Sequence, residues 1–452
     1  MITVLLLIAI IAFIVVATAK FKLHPFLTLL LAAFLLAFFS GLPIANTAKT
    51  ISDGFGGILG YIGLVIVLGT IIGVMLEKSG AAITMAEAVI RVLGPRFPTL
   101  TVSIIGYLVS IPVFCDSGYV ILNSLKQSLA NRMRVSSVAM SVALATGLYA
   151  THTFVPPTPG PIAAAGNLGL ESSLGLVIGV GLLVSACAAL AGLLWANRFK
   201  NEQPDGEGAE ELVEKAEEFE AMKQRYGVLP NTFNSFAPIF VPILLICLGS
   251  VANFPSEPLG KEGIYQLLNF LGQPLNALLI GLFLSFGLLK GANKLEQFSE
   301  HIASGLVSAA PILLITGAGG AFGAVIKATD VGSYLGMTLS GLGVGIFMPF
   351  IVSAALKSAQ GSSTVALVTT SALVAPMLGD IGLGSEMGRV LTVMAIGAGA
   401  MTVSHANDSF FWVVTQFSKM SVPQAYRAQT MATLVQGVTG MTVVYILSLI
   451  LL

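Results

Sequence analysis

Ala359-Gln360-Gly361-Ser362-Ser363-Thr364-Val365 and Thr402-Val403-Ser404-His405-Ala406-Asn407-Asp408 both lie in the stretch from Leu356 to Met420. Each sets small hydroxyl residues, glycine or ionisable groups inside sequence that otherwise reads as hydrocarbon. Polar groups cost several kcal/mol in such surroundings unless they line a cavity or meet a ligand, so the two clusters mark a candidate site. A weaker copy of the pair stands earlier, at Cys115-Asp116-Ser117-Gly118 and Ala150-Thr151-His152-Thr153. A duplicated polar pair in an oily chain points to a transporter.

The 452 residues are 55% hydrophobic and 10% charged, with mean hydropathy +0.91. Soluble domains carry about 25% charged residues, so the chain is read as a polytopic membrane protein embedded in the lipid bilayer. Formal charge is zero, with 22 basic and 22 acidic residues, which gives no field to attract nucleic acid. Cys115, Cys187 and Cys247 stand apart inside apolar runs, without disulfide or metal spacing, and read as packing residues. No HExxH helix and no carboxylate pair of catalytic spacing occurs. An intramembrane enzyme using His152, His405 and Asp408, or a channel, is therefore a remote alternative, and no metal or organic cofactor is expected. Residues 1–19 lack a basic start and a small-residue cleavage site, and are read as the first membrane helix rather than a signal peptide.

A spanning helix needs about 20 apolar residues. By that measure ten crossings fall near 2–19, 25–43, 58–76, 136–154, 172–197, 234–252, 274–289, 303–326, 388–404 and 428–451. Two further apolar stretches, about 99–130 and 346–378, are interrupted by Cys115-Asp116-Ser117-Gly118 and Gly361-Ser362-Ser363-Thr364. Each is either two crossings or a re-entrant hairpin, and the polar midpoint favours the hairpin, since irregular backbone at membrane depth survives only beside a cavity. With both termini outside, every basic residue except Lys49, Lys261, Lys327, Lys357 and Arg389 falls on the inner side, as the positive-inside bias requires.

Residues 198–232 break the composition: nine acids and five bases lie between Arg198 and Arg225, while Leu212, Ala216, Phe219 and Met222 recur at helical spacing. This reads as a cytoplasmic charged linker between a first repeat, 1–197, and a second, 233–452. Gly69 and Gly73 are matched by Gly319 and Gly323 at an offset of 250, the polar-centred hairpins follow in both halves, and Arg134 and Arg389 precede His152 and His405. Five crossings per half force opposite orientations. The expected fold is thus all-α, with two inverted-topology repeats of about five crossings each plus one re-entrant helical hairpin per repeat.

At a hairpin tip the free N–H groups of a helix start favour an anion. Gly361, Ser362, Ser363 and Thr364 suit that task in the second tip, and Ser117 and Gly118 in the first. Asp116, a carboxylate at membrane depth, is the first candidate for proton carriage, with His405 and Asp408 beside it in that role. Thr151, His152 and Thr153 precede Pro156-Pro157-Thr158-Pro159-Gly160-Pro161, where no continuous helix survives; the expected break covers 151–161, and a second lies near 404–409. Asn407 and Asn167 could each add an amide. Lys357 either snorkels along the hairpin or draws anions.

With these residues in hand, the chain resembles the gluconate permease family of gluconate:proton symporters, within the ion transporter superfamily. The resemblance runs nearly end to end and rests on Lys22-Leu23-His24-Pro25-Phe26, Pro112-Val113-Phe114-Cys115-Asp116-Ser117-Gly118, Thr151-His152-Thr153 with the proline run, Gly361-Ser362-Ser363-Thr364 and Ser404-His405-Ala406-Asn407-Asp408. Cys115 departs from the bulkier apolar residue or acid expected there. The resemblance implies proton-coupled uptake of gluconate or a related small hydroxylated carboxylate across the bacterial cytoplasmic (inner) membrane. It also implies a homodimer with a scaffold and an elevator-type mobile domain holding the hairpins. A sodium-coupled carrier of dicarboxylates or of an amino acid such as D-serine is the alternative.

Overall fold

The computed structural model describes residues 20–93, 96–206, 226–253, 262–329, 345–406 and 408–452, together with residues 224 and 260 and scattered positions before residue 20. The first expected crossing is therefore covered only in part. The linker residues Leu212, Ala216, Phe219 and Met222, and Asn407 of the second polar cluster, lie outside the described residues.

Every regular element among the described residues is helical. In the first half they are α1 (Pro25–Phe39), α2 (Ile44–Lys78), α3 (Ala81–Leu93), α4 (Pro98–Val109), α5 (Cys115–Met133), α6 (Ser137–Phe154), α7 (Pro159–Asn167) and α8 (Leu174–Ala196). In the second they are α9 (Thr232–Ala252), α10 (Ile264–Leu271), α11 (Pro274–Ser285), α12 (Lys294–Lys327), α13 (Phe347–Gln360), α14 (Ser363–Val374), α15 (Glu386–Met401), α16 (Ser409–Phe417) and α17 (Met431–Leu451). Their starts follow from local chemistry. Ser136, Asn231, Ser362, Ser385 and Asp408 accept a backbone N–H at the first turn of α6, α9, α14, α15 and α16, and α1, α4, α7 and α11 begin with proline, whose missing N–H costs nothing there.

Among the described residues, five helical stretches are long and apolar enough to cross a membrane, and up to seven if each bent pair counts as one span. Among the described residues, the apolar runs expected as uniform spans are divided into helices of unequal length. The bend between residues 64–78 and α3 is 72°, and that between α10 and the following helix 71°. Neither α3 nor α10 was expected as a separate helix. At 15 and 16 residues, α1 and α15 fall short of the roughly 20 that a span needs.

The long helices α2 and α12 pack antiparallel through small residues. A Cβ on Gly54 would stand 2.7 Å from the Gly320 carbonyl oxygen, and one on Gly305 2.8 Å from the Ile71 Cα, so the backbones touch. The same α2 carries both first-half breaks: a Cβ on Gly69 would lie 2.9 Å from the Pro157 carbonyl, and one on Gly73 2.3 Å from that of Pro112. Helices α4 to α8 and α13 to α17 form the remaining body, in which α14 packs on α7 and α17 on α8.

The start of the linker is no free connector. Gly206 donates to the Lys419 carbonyl at 2.9 Å, the Ser421 N–H to Asp205 Oδ1 at 2.9 Å and Gln424 Nε2 to the Gln203 carbonyl at 2.9 Å. Residues 202–206 are thereby pinned to the second half.

Candidate functional site

The breaks fall a few residues from where composition put them. At the first polar break the chain turns at Ser110–Phe114 between α4 and α5, and Cys115, Asp116, Ser117 and Gly118 form the opening turn of α5. In the second, Gly361 ends α13 at φ 90°, a conformation that glycine adopts freely, and Ser362 caps α14 by accepting from the Val365 N–H at 3.3 Å. Helix α6 runs through His152 to Phe154 before the proline run, and Thr402–Asp408 separates α15 from α16.

Four helix starts, those of α5, α7, α14 and α16, are thus placed at breaks inside the protein. No side chain caps the first turn of α5 or α7. The starts of α7 and α14 meet, since a Cβ on Gly160 would lie 3.5 Å from the Thr364 Cα. Such ends carry partial positive charge and N–H donors aimed outward.

Lys357 lies between the α13–α14 break and the start of α16. Its side chain is wholly buried, and Nζ lies 2.6 Å from Asp408 Oδ2, 2.5 Å from the Gly361 carbonyl and 6.0 Å from the centre of the Tyr149 ring. Asp408 also accepts from Ser404 Oγ and, at 3.0 Å, from the Phe410 N–H. His405 Nε2 meets the Ser358 carbonyl at 2.9 Å. The arm α13 is therefore fastened to the second break at two points. A buried charge requires such a partner and hydrogen bonds, because its desolvation costs several kcal/mol.

Tyr149 ties the halves together: its ring stacks on Phe410 at 5.1 Å and on His152 at 6.3 Å, and its hydroxyl reaches the Ala400 carbonyl at 3.4 Å. His152 lies 6.1 Å from Phe114 at the first tip, ring centre to ring centre. Asp116 is close enough to Asp408 to feel its charge and is within reach of the Ser409 hydroxyl. Ser363 stands in the same relation to Tyr149. Asp116 Oδ1, His152 Nδ1 and Gln360 Nε2 are buried without a hydrogen-bond partner. Orphaned polar atoms of this kind are rare in folded proteins and mark where a ligand or water belongs.

Asp116, His152, Ser363, His405 and Asp408 are thus gathered around Tyr149 and Lys357. Other expected site residues are not. The Thr151 hydroxyl donates to the Tyr107 carbonyl at 2.9 Å and the Thr153 hydroxyl to that of Tyr149 at 3.1 Å, so both are used in packing. A Cβ on Gly118 would meet Leu148 at 2.8 Å, which makes this glycine a helix contact. The Ser117 hydroxyl is within reach of Glu77 on α2, away from Lys357. Asn167 donates to Ser371 Oγ at 2.8 Å beside a separate cavity of about 880 Å³ between α2, α7, α12 and α14. The residues that sequence reasoning passed over are Tyr149, Lys357 as a site member, and Gln360, which stands in the first cluster but was given no role. Only the position of Lys357, five residues before Ser362 in an apolar run, carried a signal.

Residues 1–450 match the family pattern described as GntP family permease. The chain belongs to the GntP permease family. It is 33% identical to the "Gluconate permease" of Pseudomonas aeruginosa over 452 aligned residues, covering 98% of this chain and 97% of that protein. It is also 33% identical to the "D-serine transporter DsdX" of Escherichia coli K12, covering 98% and 97% respectively. Among solved structures the Alcanivorax borkumensis YdaH transporter shares the fold, with a TM-score of 0.67 at 15% identity over 94% of this chain and 98% of that one. As a GntP permease, the chain is a multi-pass membrane transporter and not an enzyme, as the composition and the resemblance both indicated.

Proposed function

We propose that this GntP permease takes up gluconate or a related small sugar acid together with a proton, across the bacterial inner membrane. The observation that carries the reading is the buried Lys357 at the α13–α14 break, flanked by the starts of α7 and α14 and faced by an Asp116 oxygen that lacks a partner. The substrate carboxylate binds at Lys357 and the adjoining helix starts, while its hydroxyls meet Ser363, Thr364 and Gln360. Asp116 and Asp408 load and release the proton. The ring of His405 holds the second break to α13.

Two inverted repeats, 1–197 and 233–452, joined by a cytoplasmic linker at 198–232, form the frame of this proposal, with both termini outside. Supporting it, α4 and α13 begin at 98 and 347, α7 and α16 at 159 and 409, and α1 and α11 at 25 and 274, offsets of 249, 250 and 249. The equivalent helices α2 and α12, which begin at 44 and 294, run antiparallel. In the elevator-type motion we propose, α2 and α12 belong to a dimeric scaffold and the hairpins to the moving part.

Purified protein in proteoliposomes with an inward proton gradient is expected to accumulate labelled gluconate, to lose that accumulation with a protonophore, and to be indifferent to replacing sodium by choline. Uptake that ignores the pH gradient overturns the coupling. A second reading is D-serine, favoured by the same side chains: Lys357 suits the carboxylate of a zwitterion and the unpartnered Asp116 oxygen its ammonium. Competition of unlabelled D-serine against labelled gluconate separates the two.

A further inference from the structure

A further cavity, distinct from the one beside Asn167, lies where the ends of α4, α5 and α8 meet. It measures about 520 Å³ and is lined by Arg96, Arg134 and Lys200 together with Phe97, Leu193 and Asn197. No acidic residue lines it, and none of the three cations makes an ion pair among the described residues. The cations come from the foot of α4, the end of α5 and the end of α8, so three strands of the helical body deliver positive charge to one spot. Thr99 Oγ1 holds Asn197 Oδ1 at 2.9 Å, which fixes α4 to the end of α8 across the floor. Arg134 keeps its position through left-handed backbone, φ 52°, at the end of α5.

The surroundings are those of a membrane interface. Arg198 lies over the Trp195 ring at 4.5 Å and Arg96 over Phe97 at 5.6 Å, the amphipathic pairs found at headgroup level. From there Leu194, Leu190 and Leu183 form one exposed stripe along α8, being 63%, 56% and 51% accessible. Spacings of four and seven residues keep the three on a single helix face. An apolar stripe beside a pocket whose cations have no acidic partner among the described residues matches one chemistry: acyl chains below and an anionic phosphate above.

We propose that this cavity binds the phosphate headgroup of an anionic phospholipid, with an acyl chain laid along Leu183, Leu190 and Leu194. The bound lipid ties the root of the α4–α5 hairpin to α8. The test is thermal unfolding of the full-length protein in detergent, titrated with phosphatidylglycerol, phosphatidylcholine or inorganic phosphate. Phosphatidylglycerol is expected to raise the midpoint through preferential binding to the folded form, and the other two are not. In Arg96→Gln/Arg134→Asn/Lys200→Gln, where asparagine tolerates the left-handed position, the half-effective lipid concentration is expected to rise about fivefold per cation lost. A control with the same charge loss elsewhere, Lys20→Gln/Lys49→Gln/Lys294→Gln, is expected to respond as the unaltered protein does. The proposal is overturned if phosphatidylcholine matches phosphatidylglycerol, if inorganic phosphate alone gives the full shift, if the cavity variant keeps its response, or if the control loses it equally. Should the triple variant fail to fold, Lys200→Gln alone gives the same reading, with the fivefold change as its criterion.

Discussion

The buried pair Lys357–Asp408 makes the sharpest quantitative prediction. In Asp408→Asn, the amide oxygen replaces Oδ1 and still accepts the Phe410 N–H, but the amide nitrogen then points donors at the Lys357 ammonium and the Ser404 hydroxyl. Lys357, fully buried, is left with the Gly361 carbonyl as its acceptor. In Lys357→Met the shape is nearly kept, and Asp408 retains only Ser404 and the Phe410 N–H. Removing one partner of such a buried pair costs about 3–5 kcal/mol, so each single variant is expected to lose that much. Lys357→Met/Asp408→Asn has no uncompensated charge. Its loss is expected to be at least about 3 kcal/mol smaller than the sum of the two singles. Reversible denaturant unfolding in mixed micelles, followed by tryptophan fluorescence, supplies the four corners of the cycle. If the double variant equals the sum of the singles to within about 0.5 kcal/mol, the two groups are not coupled and the central contact of the site is misread.

Asp116→Asn is expected to bind gluconate with little change, measured by thermal stabilisation, yet to lose accumulation driven by a proton gradient; full accumulation would remove Asp116 from the proton path. Gly73→Ala places a methyl group 2.3 Å from the Pro112 carbonyl, a backbone atom that cannot step aside, and overpacking of this kind costs about 1–3 kcal/mol, so a lowered midpoint and slower uptake are expected, whereas unchanged stability would show that α2 and the first tip are not in contact. At Asp205, burial opposes ionisation, but the backbone N–H and hydroxyl of Ser421 hold its carboxyl below the usual aspartate range. A group depressed in the folded state contributes above its unfolded value, about 3.9, and loses that contribution as pH falls through the folded one. Hydrogen exchange at the Ser421 amide, corrected for intrinsic rates, is therefore expected to accelerate on acidification below that range, with no such step in Asp205→Ala.

Much of this arrangement was legible because breaks in oily helices have few chemical causes. The proline run from Pro156 to Pro161 and the glycine at 361 can each do little but end a helix, and both do. Which polar residues gather around Lys357 was not legible, because that depends on rotation about axes that the runs do not fix. Helix α6 is buried on all sides, so Thr151, His152 and Thr153 give no periodic signal, and only packing sends the threonine hydroxyls to backbone carbonyls while His152 turns to Phe114 and Tyr149. The residues 110–114 read as helix on hydropathy alone, since a turn buried against Gly73 needs no polar composition. Lys357 was ambiguous for a similar reason: its partner, Asp408, is 51 residues away and on a different break.

That separation is what gives the pair a use beyond holding the fold. A buried ion pair stabilises little relative to well-packed apolar residues, so stability alone is a poor reason for setting a lysine inside the protein. Lys357, Asp408 and Asp116 together sum to one negative charge when all are ionised. A third carboxylate, entering with the substrate, doubles that charge in a region where separated charges interact strongly. On the proposed reading, the substrate carboxylate takes the place of Asp408 at Lys357, and protons on the displaced and neighbouring aspartates cancel the surplus. Asp408 then acts as an internal stand-in for the substrate when the site is empty, which keeps the lysine paired in both conditions. The exchange requires α13, which carries Lys357, to move relative to the Ser404–Asp408 break by only the width of a carboxylate.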